Sequence, residues 1–205
     1  MRILMFIAAV SLLSCGQSSS NKKKEAVTGD STKEIADTAK VSPSVKEATL
    51  PYTAPDEAAV NEALKAVYGN DWHVLNDQEA KWMKDAFDYF IVPKRKEEPN
   101  YPYIAKGDFN GDGRPDTAAV VTDPIKRNFR IAILLGPGNI KLWEEDIMID
   151  AAISSIPKST VQGSENERPK KIKMKGDGIN VEYFEKASFV LYWDKSAFKR
   201  IQTGD

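Results

Sequence analysis

The sequence feature that most limits how this chain can fold is the stretch at positions 107–116, Gly-Asp-Phe-Asn-Gly-Asp-Gly-Arg-Pro-Asp. Oxygen-bearing side chains occupy alternate positions in it, and a further aspartate closes it. Ca²⁺ prefers six to eight hard oxygen ligands, so a short loop that binds it must curl tightly, and Gly113 gives the backbone freedom for that curl. The pattern predicts a calcium site, against the alternative of a metal-free turn rich in Asp, Asn and Gly. The predicted ligands are the side chains of Asp108, Asn110, Asp112 and Asp116 and the backbone carbonyl of Arg114.

The residues around this stretch indicate which kind of calcium loop it is. The twelfth loop position is Ala119, whereas EF-hand and dockerin loops carry an acid there and continue into a helix. Residues 117–122 are small and partly β-branched, which is typical of a strand, and residues 101–105 also favour an extended chain. Asp116 must then complete the site. Over residues 107–121 the chain resembles the D-x-N-G-D-G-x-x-D loop of FG-GAP (VCBS-type) repeats.

FG-GAP repeats are known from integrin-like β-propellers and many bacterial surface proteins, and the resemblance implies a strand–calcium loop–strand unit. A closed propeller needs several blades, and the integrin type repeats the loop in each of them. This chain has one good copy, because the turn at 176–178 is preceded by lysines rather than acids. The resemblance therefore implies a partial, propeller-blade-like unit and not a closed propeller. The arrangement also resembles small bacterial lipoproteins that carry one loop of this type.

The start of the chain resembles a bacterial lipoprotein signal peptide. Arg2 gives a positive start, residues 3–13 form an apolar run too short to span a bilayer, and Leu-Leu-Ser-Cys at 12–15 resembles a lipobox. This implies a signal peptide over 1–14 and diacylglycerol on Cys15, the only cysteine. The alternatives are an uncleaved membrane anchor or an ordinary signal peptide cut elsewhere. The expected location is the cell envelope, lipid-anchored to a bacterial membrane (outer membrane or cell surface), where millimolar calcium fills weak loops.

The remaining sequence predicts an α+β domain behind a tether. Large apolar side chains are sparse in 15–51, which we expect to be a flexible tether, and residues 52–205 are expected to form one globular domain. Apolar periodicity predicts helices over about 53–69 and 76–93. Short β-branched runs separated by turns follow the acidic stretch, with a polar loop at 157–169. We therefore expect two N-terminal helices packed on one antiparallel meander sheet that carries the strand–loop–strand unit.

Few residues offer catalytic chemistry. The net charge is -1 and no basic stripe is interleaved with aromatics, which argues against a nucleic-acid partner. The only histidine, His73, is interpreted as structural because no G-x-S-x-G nucleophile motif accompanies it, and zinc would need several His or Cys ligands. One group of acids could supply a glycosidase-type carboxylate pair, although such acids are usually a solvated face. The group consists of Glu144, Glu145, Asp146 and Asp150.

Two classes of function follow from these features. The favoured interpretation is a lipid-anchored envelope protein with a structural calcium loop, acting as a binding or interaction module for a protein or glycan partner. An inhibitor that inserts the loop at 157–169 into a secreted hydrolase would be a variant of this interpretation. The alternative is an envelope hydrolase that acts on glycan or peptide through a carboxylate pair. The first interpretation is favoured because the only specific motifs are an anchor and a metal loop of structural type.

Overall fold

A computed structural model describes residues 52–204 of the chain, which belong to one compact unit spanning residues 47–205. The predicted signal peptide, Cys15 and most of the predicted tether lie outside the described residues. Helix α1 (Glu57–Tyr68) comes first. A second helical segment follows, in which α2 (Lys84–Ala86) leads through a π-helical turn (Phe87–Ile91) into α3 (Val92–Lys94).

The first sheet is antiparallel and is built around its longest strand. Its strands are β1 (His73–Val74), β2 (Ile104–Gly107), β3 (Asp116–Asp123), β4 (Asn128–Leu134) and β5 (Ile140–Leu142). Strand β4 covers one edge of β3, while β1 and β2 pair one after the other along the opposite edge. Strand β3 is buried along nearly its whole length, which explains its continuous apolar run.

The second sheet is also antiparallel and has six strands in the order β6-β9-β10-β11-β7-β8. The strands are β6 (Ala152–Ile156), β7 (Thr160–Glu165), β8 (Arg168–Lys173), β9 (Gly178–Tyr183), β10 (Ala187–Asp194) and β11 (Ala197–Gly204). The β7–β8 hairpin joins β11 through a single paired position, Gln202 with Ser164. The central strands of this sheet therefore carry most of its pairing.

The main core lies where the two sheets and α1 bring their apolar side chains together. Leu64 of α1, Ile131 of the first sheet and Leu191 of the second are each fully buried in one continuous cluster. Burial of an aliphatic side chain of this size contributes roughly 1.5–3 kcal/mol. The backbone also connects the sheets, because the Ile153 N–H at β6 donates to the Pro102 carbonyl just before β2 at 2.9 Å.

Short helices combined with antiparallel strands agree with the predicted α+β class in its coarse form. Residues 52–204, however, are mostly β and form two sheets rather than one meander. The predicted helix over 76–93 is wrong in extent, because residues 76–83 are not helical. There the Asn76 side chain accepts the N–H groups of Gln78 and Glu79 and so stabilises a turn.

The predicted polar loop at 157–169 is also wrong, because most of it forms the β7–β8 hairpin. Asn166 and Glu167 at the hairpin tip both have positive φ, at 50° and 63°. A two-residue turn with positive φ at both positions connects paired strands, and glycine is its usual sequence signal. The chain has Asn-Glu at this place, so the usual signal of a hairpin is missing from the sequence.

Candidate metal loop and its contacts

The acidic stretch forms the connection between β2 and β3, as the strand–loop–strand prediction requires. Gly111 and Gly113 have positive φ values of 70° and 84°, so both occupy the region that glycine tolerates best. Phe109 points the other way and is completely buried in the main core. The Phe109 ring thus fixes the loop to the main core.

The first and last aspartates of the loop are bonded to its own backbone. Asp116 is 2% exposed, and its Oδ2 accepts the N–H groups of Phe109 at 2.9 Å and Asn110 at 3.2 Å. The two carboxylate oxygens of Asp108 accept the N–H groups of Asp112 and Gly113, both at 2.9 Å. These bonds curl the chain so that the two ends of the loop approach each other.

In the middle of the loop, the two remaining predicted side-chain ligands, Asn110 and Asp112, also accept backbone N–H groups. The Asn110 Oδ1 accepts the Asp112 N–H at 2.8 Å, and the Asp112 Oδ1 accepts the Arg114 N–H at 2.9 Å. The Arg114 guanidinium lies 3.1 Å from the Asp112 carboxylate, but its side chain is 83% exposed. Solvent therefore screens this single cation strongly.

The electrostatic environment of the loop acts most strongly on Asp116. Burial raises the pKa of Asp116, and the negative charges of Asp112 and Asp108 raise it further against the opposing backbone hydrogen bonds. The hydrogen bond from the Arg114 backbone N–H is the main cause that lowers the pKa of Asp112. A desolvated carboxylate beside two others is unfavourable without a counter-charge.

The donor set of the loop fits a hard cation. Within residues 52–204, no group of three or more His, Cys, Asp or Glu side chains has the arrangement of a metal site. Asp108, Asp112 and Asp116 are therefore not gathered as such a group in this structure. The predicted ligand set also includes the Asn110 amide oxygen and the Arg114 carbonyl. All of these donors are oxygens, which suit Ca²⁺ and exclude softer metals. When bound there, calcium would supply the counter-charge that the clustered carboxylates need.

A turn of the second sheet packs directly against the acidic loop, and sequence reasoning missed it. Asp177 lies in the connection between β8 and β9, and its carboxylate accepts the N–H groups of Asp108 and Lys158, both at 2.9 Å. Its own N–H donates to the Asp108 carbonyl at 2.7 Å. The only sequence feature that marks this place is Gly-Asp-Gly at 176–178. It predicts a turn but does not indicate which part of the chain the turn contacts.

Two glycines allow this contact to be made backbone to backbone. A Cβ atom on Gly176 would lie 2.2 Å from the Asp108 carbonyl oxygen and 2.6 Å from the Gly111 nitrogen. A Cβ atom on Gly111 would lie 2.8 Å from the Lys175 carbonyl oxygen. We call this contact, made by Asp108, Gly111, Gly176, Asp177 and Lys158, the loop junction. It couples the shape of the acidic loop to the second sheet.

A second polar cluster fixes the helical segment and contains no loop acid. The Arg95 guanidinium meets the Asp77 carboxylate through two contacts of 2.8 and 2.5 Å, and the Tyr103 hydroxyl donates to the same carboxylate at 2.7 Å. The Trp82 indole N–H donates to the Tyr103 oxygen at 2.9 Å. These four residues form the Asp77 cluster, in which the ionic side chains are only 9% and 17% exposed.

The predicted acid group lies among cations from other parts of the chain. Glu145 lies 3.0 Å from Arg200, and Asp146 lies 3.0 Å from Arg130. Asp150 is paired with Lys186 at 2.5 Å. Three of the four acids thus face cations from other strands and turns, as a solvated ionic surface would.

His73 makes a polar contact with the turn that follows β1. Its Nε2 lies 2.8 Å from the Glu79 carboxylate, and the same carboxylate accepts from the Asn76 amide at 2.6 Å. The imidazole therefore helps to hold the turn that follows β1.

No protein-family model, curated protein or solved structure matches the chain. Among the helices of residues 52–204, none has the length and apolar character needed to cross a membrane.

Proposed function

We propose that this chain is a lipid-anchored protein of the bacterial cell envelope, a binding or interaction module whose fold is stabilised by calcium in the acidic loop. The observation that carries the proposal is the tightly curled loop in which Asp108 and Asp116 accept backbone N–H groups of the loop itself, and in which the Arg114 guanidinium beside Asp112 is exposed. An ion at this place has a structural task, because the loop junction transmits the loop shape to the second sheet.

In this proposal β2, the acidic loop and β3 act as one unit of FG-GAP type, a partial blade attached to a different fold. The two helical segments would lie on the sheets as covers rather than as functional elements. The metal ligands are Asp108, Asn110, Asp112, Asp116 and the Arg114 carbonyl. Calcium in such a loop pins a connection rather than activating water, because one tight loop supplies most of the ligands.

Membrane attachment is the second half of the proposal and comes from the lipobox-like residues 12–15. Diacylglycerol on Cys15 would hold the domain at the membrane without a spanning helix. The surface would remain free for a protein or glycan partner. The ion pairs of the acid group give the hydrolase alternative no support, because Glu145, Asp146 and Asp150 are each paired with a cation.

The calcium half is tested by thermal unfolding of residues 47–205, with excess calcium and with chelator. Calcium at about 100-fold over its dissociation constant contributes about 2.7 kcal/mol, so we expect the melting temperature to rise by roughly 5–10 °C. Asp112→Asn removes one ligand charge at nearly constant shape and should abolish the rise. The exposed Glu144→Gln variant is the charge-matched control and should keep it. Equal melting temperatures of the wild-type fragment in calcium and chelator would contradict the calcium site.

The anchor half is tested in bacteria fed with an alkyne-bearing fatty acid. We expect the full chain to take up the label and to partition with membranes, and Cys15→Ser to lose both properties. Ser18→Ala, three residues downstream, is the control and should behave as wild type. Unchanged labelling of Cys15→Ser would show that the lipid is not on this cysteine.

A further inference from the structure

Strand β11 is paired along its whole length on one edge only. On that edge it pairs with β10, whereas on the other edge it pairs with β7 at a single position, Gln202 with Ser164. If this register continued, Arg200 would lie opposite Asn166, where the β7–β8 hairpin turns back. The hairpin therefore ends beside Arg200, and within residues 52–204 no strand pairs with the outer edge of the first half of β11.

The backbone groups on this outer edge belong to alternate residues. Residues next to a two-residue hairpin turn form a hydrogen-bonded pair, so Ala197 and every second residue after it face β10. Gln202 agrees with this alternation, because a Cβ atom on Gly163 of β7 would lie 2.0 Å from the Gln202 carbonyl oxygen. The N–H and C=O groups of Phe198 and Arg200 therefore point outward, and they have no backbone partner among residues 52–204.

A groove of about 580 Å³ lies beside this edge. Its lining combines the rings of Trp143 and Phe198 with Arg200 and with the hairpin-tip residues Asn166 and Glu167. Its volume falls within the range of about 300–1,000 Å³ that is usual for ligand sites. We call it the edge groove, and its lining places apolar rings and a charged tip next to unpaired backbone groups.

Most ionic side chains of the edge groove already have partners. Four of the five form ion pairs, which are Glu145 with Arg200 at 3.0 Å, Glu165 with Lys170 at 2.5 Å and Lys199 with Asp194 at 2.5 Å. The exposed Glu167 belongs to none of the ion pairs of residues 52–204. The uncompensated charge of the groove is therefore negative, and a basic side chain would complement it.

We propose that the edge groove binds an extended peptide segment of a partner protein, which pairs with β11 as an added strand. Outward N–H and C=O groups at every second residue are the pattern that the backbone of another strand satisfies. Apolar side chains of the segment would contact Trp143 and Phe198, and a basic one would lie next to Glu167. The inference rests on the binding role proposed above and names the class of its ligand.

Two other occupants match the edge groove less well. A glycan needs free side-chain donors and acceptors, but the Trp143 indole nitrogen is buried and most of the ionic groups are paired. A second copy that paired through the same edge would bring Lys199 and Arg200 next to their own counterparts, because such a contact is symmetric. Like charges opposite each other destabilise strand pairing.

The first measurement is amide hydrogen exchange by NMR on residues 47–205, the compact unit that holds the entire described core. Circular dichroism and cooperative thermal unfolding establish that this unit is folded. We expect the amides of Phe198 and Arg200 to exchange at least tenfold faster than that of Lys199, which faces β10. Equal exchange rates would mean that the edge is covered and would overturn the proposal.

The ligand probe is an eight-residue peptide of alternating valine and lysine with both ends blocked. At millimolar concentration it should shift the amide resonances of Phe198 and Arg200 and slow their exchange. The same peptide with every backbone nitrogen methylated keeps its charge but has no N–H donors, and it should bind at least tenfold more weakly. Equal binding of the two peptides would mean attraction by charge alone and would overturn the proposal. So would unchanged resonances at both amides.

Two matched variants test the charge at the hairpin tip. Glu167 and Glu185 are both exposed and both lie in hairpin turns with positive φ, at 63° and 59°, but only Glu167 lines the edge groove. Glu167→Lys should weaken binding of the peptide about fivefold or more, and Glu185→Lys should keep it within about twofold of wild type. Equal losses in the two variants would mean that the overall charge attracts the peptide and would contradict binding in the groove.

Two further titrations examine the other occupants. A hexasaccharide of N-acetylglucosamine that shifts the Trp143 indole resonance, in a protein that does not respond to the peptide, would assign the groove to a glycan. Slower exchange at Phe198 and Arg200 as the protein concentration rises would assign it to a second copy. Either result would overturn the proposal.

These outcomes can be told apart from those of the proposed function. If calcium raises the melting temperature and Cys15 carries lipid while the peptide does not bind, the edge groove is wrong and the calcium loop and anchor stand. If the peptide binds while calcium leaves the melting temperature unchanged, the calcium loop is wrong and the edge groove stands.

Discussion

The loop junction and the Asp77 cluster both fix a connection against the sheets. They differ in that only the Asp77 cluster pairs its carboxylate with a buried cation. In the Asp77 cluster a buried guanidinium balances the carboxylate, and a tyrosine hydroxyl adds a further donor. In the loop, carboxylates are bonded to backbone N–H groups, and the only guanidinium in contact is exposed. The Asp77 cluster therefore contains its own counter-charge, whereas a cation bound at the acidic loop would neutralise charge that its exposed guanidinium leaves largely uncompensated.

The largest effect should come from adding a methyl group at the loop junction. Gly176→Ala places a Cβ atom 2.2 Å from the Asp108 carbonyl, and this contact is between backbones, so neither side can move easily. We expect a loss of about 3 kcal/mol in the free energy of unfolding, measured by urea denaturation. Gly113→Ala is the control, since φ is +84° there but nothing lies within 4 Å, and it should cost only about 1 kcal/mol. Equal costs would show that the two turns do not press against each other.

Removal of the carboxylate from the Asp77 cluster should have the next largest effect. Asp77→Ala leaves the Arg95 guanidinium, which is 9% exposed, without its partner, and we expect a loss of about 3 kcal/mol or slightly less. Asp88→Ala removes the partner of the exposed Lys84 and should leave the urea midpoint close to wild type. A similar midpoint in both variants would mean that Arg95 is not held by the ion pair.

Asp177→Ala should be milder and should also reveal whether the loop junction acts through the carboxylate. The N–H groups of Asp108 and Lys158 each lose their acceptor, which costs about 2 kcal/mol in total if water replaces part of the bond. In calcium titrations followed by calorimetry we expect weaker binding, because the loop loses its support. Unchanged stability together with unchanged calcium affinity would uncouple the loop from the second sheet.

The smallest effect concerns pH. Burial raises the pKa of Tyr101 and Tyr103 above the ordinary value of 10.0. A group whose pKa is raised by folding contributes stability below its unfolded pKa and loses it as pH rises, because the unfolded chain ionises first. From about pH 10 to about pH 11 the free energy of unfolding should fall by about 1 kcal/mol per tyrosine. Tyr101→Phe should reduce this fall by about 1 kcal/mol, and a pH-independent difference between the two proteins would contradict the assignment.

Local patterns predicted those parts of the molecule that are set by neighbouring residues. The Asp-x-Asn-x-Asp spacing predicted a curled loop between two strands, and β2 and β3 flank it as expected. Calcium in this loop stays a prediction. The loop junction could not be predicted, because Asp108 and Asp177 are 69 residues apart and no periodic pattern relates them. The second helical segment begins later than predicted, because the Asn76 side chain stabilises a turn where the apolar periodicity predicted helix.

The free edge of the second sheet has a consequence for crowding. Strand β8 (Arg168–Lys173) is the last strand of that sheet and reads Arg-Pro-Lys-Lys-Ile-Lys. Pro169 offers no N–H to an incoming strand, and the repeated positive charges repel another copy of the same edge. Proteins tethered to a membrane reach high local densities at which exposed strands join into aggregates. With the membrane tether proposed above, this edge would keep neighbouring copies of the protein separate.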